Sequence, residues 1–215
     1  MCGRYALYDL QKLANEYSIP EGFDLKPNYN AAPTQTMPVV TENGLELMRW
    51  GLIPAWAKDE KIGYKLINAR SESVFEKPIW KAVITRKKCL IPANGFYEWK
   101  QQEGGKQPYF IHPKDQPLFM FAGVWETWMH EGNEWHTYSI LTTTPNKELA
   151  YIHDRMPVIL AKSDWQQWLE ADRREDIEPL LAPYKDAELE LHEVSKDVNV
   201  VRTNTDKLIV PINSK

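Results

Sequence analysis

The stretch from residue 88 to residue 143 constrains the fold most. "KCLIPANGFYEWK", "QPYFIHP", "QPLFMFAGVWE" and "WHTYSILTTT" are rich in β-branched and aromatic residues and read as strands. The "EGGK" turn and a second glycine-containing turn join neighbouring runs, which predicts antiparallel hairpins. Helical patterns flank this block. In "ALYDLQKLANEYSI", Ala6, Leu10, Leu13, Ala14 and Tyr17 recur at helical spacing, ending before Pro20 and Gly22. "KPNYNAAPTQTMPVV" is a proline-punctuated loop running into a short strand, and "LELMRWGLIPAW" alternates before breaking at Pro54. Ser73 and Glu76 form a potential capping box ahead of "KPIWKAVITRK". Asn146 is placed to cap a short helix, "KELAYIH", before the strand "MPVIL". Ser163 and Gln166 suggest another capping box at "DWQQWLEAD", and "ELELHEVSKDVNVV" alternates again. There is no repeat, low-complexity linker or composition break. The expectation is a single α+β domain over 1–215, with a mainly antiparallel, barrel-like β core flanked by short helices.

Two cysteines, Cys2 and Cys89, cannot build a disulfide framework. The start "MCGRYALYDLQKL" lacks the basic segment and apolar run of a signal peptide, and no stretch reaches membrane length. These features predict a cytoplasmic protein with reduced thiols. The net charge of −4 is unevenly spread. Residues 49–88 carry ten Lys/Arg against four Asp/Glu, whereas residues 170–197 carry four against ten. A basic stretch inside an acidic chain keeps an anionic partner open, although either run also suits a solvated face.

Cys2 is the residue with unusual chemistry. Removal of Met1 is expected before a small second residue, and it would give Cys2 a free α-amine beside its thiol. An α-amine of pKa about 7.7–8.0 is partly unprotonated at neutral pH and can attack an aldehyde to give an imine. The thiol can then close on the imine carbon as a five-membered thiazolidine, with the proximity advantage of an intramolecular step. Three further polar residues stand in apolar surroundings. Asn68 in "KLINAR" offers an amide to orient an amine or a carbonyl oxygen. Glu98 in "GFYEWK" would have its pKa raised by burial, which suits proton transfer. His153 in "YIHDR" falls at the end of a predicted short helix, where an imidazole can titrate near neutrality. Each also has a plain structural reading: a turn asparagine, a strand-face glutamate and a helix-terminal histidine. The five histidines are scattered and neither cysteine has a ligand at finger spacing. Phosphate-cradling glycine motifs and GxSxG are missing too, so neither metal nor cofactor is expected.

Nine segments carry a family pattern in order: "MCGRYA", "YNAAPTQ", "RWGLIPAW", "LINARSES", "CLIPANGFYEWK", "QPYFI", "FAGVWE", "ILTTTPN" and "IHDRMPVIL". The chain resembles the SOS-response-associated peptidase family, whose members shield abasic sites on single-stranded DNA. The matches run from Met1 to about Trp168, the acidic region beyond fits less well, and "LHEVSKDVNVVRTN" is again similar to the family's ending.

The resemblance implies a covalent thiazolidine crosslink between Cys2 and the ring-opened abasic aldehyde. It implies that Asn68 positions the amine or opened sugar and that Glu98 is the acid/base. His153 would assist proton transfer, strand cleavage by β-elimination, or reversal. It places Arg4, Pro33, Trp56, Arg70, Thr142 and Arg155 against DNA, with Trp56 stacking on bases and the arginines beside phosphates. Ala57 stands where some relatives carry a second aromatic, which weakens stacking. The implied partner is single-stranded DNA containing abasic sites, engaged by a monomer. "Peptidase" would refer to removal of residues ahead of Cys2, here Met1 alone. The same residue types also fit an N-terminal-nucleophile cysteine amidohydrolase or peptidase, with Asn68 as oxyanion contact, or a non-covalent single-strand binder.

Overall fold

Both hairpins foreseen around the glycine turns form, one within a closed barrel and the other in a second sheet. The computed structural model describes residues 2–212. Among these, the chain runs through β1 (Tyr5–Leu7), α1 (Leu10–Glu16), β2 (Asn28–Ala31), β3 (Thr36–Thr41), β4 (Gly44–Trp50), β5 (Asn68–Arg70) and α2 (Pro78–Lys81). It continues with β6 (Lys88–Ala93), β7 (Gly95–Gln102), β8 (Gly105–Pro113), β9 (Phe119–His130) and β10 (Asn133–Thr143). Beyond lie β11 (Met156–Pro157), β12 (Ile159–Leu160), α3 (Trp165–Glu170), α4 (Arg174–Ile177) and β13 (Leu189–Glu193).

Strands β10, β4, β3, β6 and β9 form a closed ring, because β9 pairs with both β6 and β10. The ring is antiparallel except where β10 meets β4 in parallel. Closure leaves these five strands without open edges. A second, antiparallel sheet has the order β13-β8-β7-β1-β2. The architecture is the expected α+β one with a mainly antiparallel barrel core. The β9–β10 turn needs two left-handed residues, and Glu131 (φ 50°) and Gly132 (φ 78°) supply them.

Apolar strand positions drive this packing. Tyr5 of β1 lies against Trp50 of β4 and Phe121 of β9, and its hydroxyl is 2.9 Å from that of Tyr138 in β10. All four residues are buried. These contacts fasten β1, and with it Cys2 three residues upstream, to the barrel. Short β5 adds to β10 in parallel, pairing Asn68 with Ile140 and Arg70 with Thr142.

The flanking helices differ from the sequence expectation. The predicted first helix divides, because Tyr5–Leu7 is buried throughout and pairs as a strand with β7 and β2. The helix proper begins at Leu10, capped by Asp9, whose side chain accepts from the Lys12 backbone N–H. Neither predicted capping box forms. Helix α2 starts after Lys77 with Pro78 in its first turn, and α3 has no side-chain cap because the Ser163 hydroxyl turns to Asp164. Asn146 does accept from the Leu149 N–H at 3.1 Å, but the residues after it remain a series of turns. The predicted strand "MPVIL" is two short pieces, with Val158 bridging between Leu141 and Ala122.

Candidate active site

Cys2 is fully buried, and its backbone carbonyl accepts a 2.8 Å hydrogen bond from the side-chain amide of Asn68. That bond fixes the amide's orientation. The other end of the amide, Oδ1, is buried without a hydrogen-bond partner, so an acceptor stands unused beside Cys2. Burial pushes the Cys2 thiol well above its ordinary pKa, and the nearby Glu98 carboxyl adds to the effect. The thiol is therefore protonated at neutral pH.

Glu98 projects from β7 and is 2% exposed. Burial, reinforced by the carboxylate of Asp154, raises its pKa to about 7. His153 faces it, with Nε2 3.8 Å from Glu98 Oε2, too long for a direct hydrogen bond. Contrary to the sequence reading, His153 follows a turn rather than a helix. Burial lowers its pKa, which favours the neutral ring. Its Nδ1 lies 3.0 Å from the backbone N–H of Arg155 and 2.9 Å from Asp154 Oδ1, while Nε2 faces Glu98. The pair opens to solvent through a hollow of about 520 Å³ lined by Glu98, Trp99, Lys106, His153 and Asn199. Another hollow of the same volume, lined by Ile159, Leu160, Pro179 and Tyr184 among others, contains none of the predicted site residues.

The remaining residues divide by what their side chains already touch. Arg155 is buried and engaged, with both Glu72 carboxylate oxygens and the Thr142 carbonyl accepting from its guanidinium. Thr142 is itself buried and donates to the Ala69 carbonyl. Arg4 donates through Nη1 to Asn30 Oδ1 and to the Val198 carbonyl, both at 2.8 Å. Asn30 in turn donates to the carbonyls of Val198, Val200 and Thr203, so the two residues latch the segment that carries Asn199. Both arginines thus already hold protein partners. Arg70, by contrast, is exposed.

Trp56 is 70% exposed on a loop that is otherwise bolted down. Gly51 N–H donates to the Tyr138 carbonyl, Ile53 N–H to Thr137 Oγ1, and the buried Trp128 indole to the Ala57 carbonyl. Gly51 sits at φ 113°, and a Cβ there would lie 2.7 Å from the Gly63 oxygen, so the loop folds back tightly. Pro33 is half-buried in a turn where Thr34 takes φ 77°, an uncommon conformation for a β-branched residue, held by a bond to the Trp50 carbonyl.

The basic excess of 49–88 is partly neutralised on site: Arg49 pairs with Glu60, Lys61 with Asp59 and Lys87 with Glu126. The acidic region does the same through Arg173–Asp176 and Arg174–Glu178. Among the described residues no helix is long and apolar enough to cross a membrane. Glu72, Asn30, Lys106 and Asn199 went unread in the sequence. Glu72 lies 83 residues from Arg155, and Arg4 194 from Val198, separations that a local pattern does not register.

A second-residue cysteine gripped by an amide thus lies near a buried carboxyl and an imidazole that share one opening to solvent. The chain belongs to the SOS response associated peptidase (SRAP) family, whose model matches residues 1–201. The match continues past Trp168, so the acidic region falls within the family's span. The chain is 42% identical over 221 residues to the abasic site processing protein YoaM of Bacillus subtilis, covering 97% of each. It is 34% identical over 227 residues to the abasic site processing protein HMCES of Gallus gallus, covering 87% of this chain and 67% of that one. A crystal structure of a Bacteroides thetaiotaomicron protein superposes with a TM-score of 0.90 at 28% identity, covering 98% of this chain and 99% of the other.

Proposed function

We propose that the chain recognises abasic sites in single-stranded DNA and shields them through a thiazolidine link to Cys2. Met1, whose removal exposes the amine, lies outside the described residues; a cellular aminopeptidase or self-cleavage would serve. The carrying observation is the convergence of the Asn68 amide and the Glu98 carboxyl on Cys2. The relatives named for abasic site processing support the choice of target.

The steps follow from the acid–base state of each group. With a pKa of about 7, Glu98 is present in both forms at neutral pH, as ring opening requires. It takes the proton of the sugar's anomeric hydroxyl and returns one to the ring oxygen, which releases the aldehyde. The Cys2 amine, its N–H held by Asn68 Oδ1, adds to the carbonyl carbon. Proton transfer through Glu98 and His153 expels water and leaves an imine. The neutral thiol then adds to the imine carbon while its proton passes to the nitrogen, closing the ring. In sum, aldehyde and aminothiol yield thiazolidine and one water. Loss of a C2′ proton from the same imine would instead cleave the strand, so thiol closure competes with lyase chemistry.

An amidohydrolase would need a thiolate at the outset, and burial of Cys2 opposes that. The test uses protein lacking Met1 and an oligonucleotide with one abasic site. Intact mass should show protein plus oligonucleotide less one water, surviving denaturation. Cys2→Ala keeps an amine, so it should yield only an imine that borohydride can trap. Equal amounts of unreduced, stable adduct from Cys2→Ala would sink the proposal.

A further inference from the structure

The engagement of Arg4 and Arg155 raises the question of which cations beside the site remain available for phosphate. Two have charged ends without an ion pair or hydrogen bond among the described residues. One is Arg70, two positions after Asn68 on β5 and exposed. The other is Lys106, near the start of β8, exposed, and on the rim of the hollow that holds Glu98 and His153. Its charge reaches the reacting groups, since it contributes to lowering the His153 pKa.

The hollow is also built to stay open beside Lys106. Asn199 also lines it, and its Oδ1 accepts the Trp99 indole N–H at 2.8 Å. That bond holds the half-buried Trp99 ring at the rim. Asn199 is in turn kept in place by the Arg4 and Asn30 latch on Val198. A cation on a rigid rim, above a carboxyl and an imidazole, suits a phosphodiester next to the sugar under attack.

We infer that Lys106 binds a backbone phosphate adjoining the abasic nucleotide, with Trp99 and Asn199 forming the rest of that subsite. The inference rests on the proposed abasic-site function for the identity of the ligand. A contact of this kind carries no base preference, so it holds any strand sequence equally.

The test is equilibrium binding of a single-stranded oligonucleotide containing a tetrahydrofuran abasic analogue, which has no aldehyde and forms no crosslink. Wild type, Lys106→Gln, Lys106→Arg and the α1 control Lys12→Gln are titrated across a range of salt. One phosphate contact on single strands contributes about 0.7 to the slope of log K against log salt, or about fivefold in affinity at 0.1 M salt. Lys106→Gln should lose that much of both, Lys106→Arg should retain them, and Lys12→Gln should match wild type. An unchanged slope in Lys106→Gln overturns the inference, as does an equal loss in Lys12→Gln. Crosslinking of a true abasic strand by Lys106→Gln at saturating DNA reads separately on Cys2. Its failure together with that of wild type would count against the proposed function instead.

Discussion

Replacing Glu98 by glutamine should change the pH dependence of stability in a way fixed by the site's geometry. Unfolded, the carboxyl titrates near its ordinary 4.5, whereas in the fold burial moves it to about 7. Between these values the native protein retains a proton that the unfolded chain has released. Stability contributed by the protonated carboxyl is complete below about pH 4.5 and is lost as pH rises through 7. The displacement corresponds to about 3 kcal/mol, at about 1.4 kcal/mol per tenfold change in acidity. Glu98 is 2% exposed, so water screens little of this. Glutamine has nearly the same shape and no charge to bury. Any constant offset from altered hydrogen bonding drops out when only the change with pH is compared. Urea unfolding of both proteins at pH 4, 5, 6, 7 and 8 gives the required difference. Relative to wild type, Glu98→Gln should gain about 3 kcal/mol across that range, with the difference levelling off above pH 8. A difference that stays flat would refute the argument, because it would mean that Glu98 ionises alike in both states and is not poised at neutral pH.

Other perturbations probe the supports of the site. Trp128→Phe keeps a ring but removes the N–H that holds the Ala57 carbonyl, so stability should fall by about 1 kcal/mol. Amide hydrogen exchange over residues 52–58 should quicken more than that of β6; an equal change in both would show that Trp128 does not hold the Trp56 loop. Glu72→Gln breaks the pair with buried Arg155, and the half-exposed position of Glu72 limits the loss to about 1–2 kcal/mol. The same variant should alter the pH–rate profile of crosslinking, since the Arg155 backbone N–H sets the His153 ring; an unchanged profile would detach Glu72 from the chemistry. Gly51→Ala places a Cβ 2.7 Å from the Gly63 oxygen at a left-handed φ, and should cost more than about 1 kcal/mol in urea unfolding. A neutral result would mean that the loop does not need its tight return.

The strands were legible because their cause is local. Alternating apolar residues and glycine turns lie within one continuous stretch, and β6 to β10 occupy it, although the first run divides at Asn94 into two strands of different sheets. Barrel closure was legible only as a class, since the β9–β6 and β10–β4 pairings join segments far apart in sequence. Helix starts were read wrongly where a buried strand preceded the helix, as at Tyr5–Leu7, and where Pro78 set the first turn instead of a serine cap. At the site, residue type suggested the chemistry proposed for Cys2, Asn68 and Glu98. It did not convey whether an arginine was free. Arg4 and Arg155 are near the proposed nucleophile and acid/base in sequence, yet their guanidinium groups meet Asn30, Val198, Glu72 and Thr142. A cation's availability depends on distant partners, and one chain's sequence does not display them.

The burial of Cys2 bears on the order of bond formation in the proposed reaction. A thiol exposed at a chain end would ionise near its ordinary pKa, react with soluble electrophiles and oxidise readily. Here burial and the Glu98 carboxyl keep the proton on sulfur, so the thiol is a weak nucleophile toward an arriving aldehyde. An α-amine has an ordinary pKa near neutrality, and the buried, unpartnered Oδ1 of Asn68 is available to orient it. Amine attack therefore comes first, and it changes what the thiol confronts. The imine sits on the same residue as the thiol, and its nitrogen takes the thiol proton as sulfur bonds to carbon. A neutral thiol suffices for that step because the reaction is intramolecular. In the proposed reaction the fold would withhold sulfur from casual reaction and admit it once an imine has formed, tying the permanent bond to a substrate that has first presented an aldehyde.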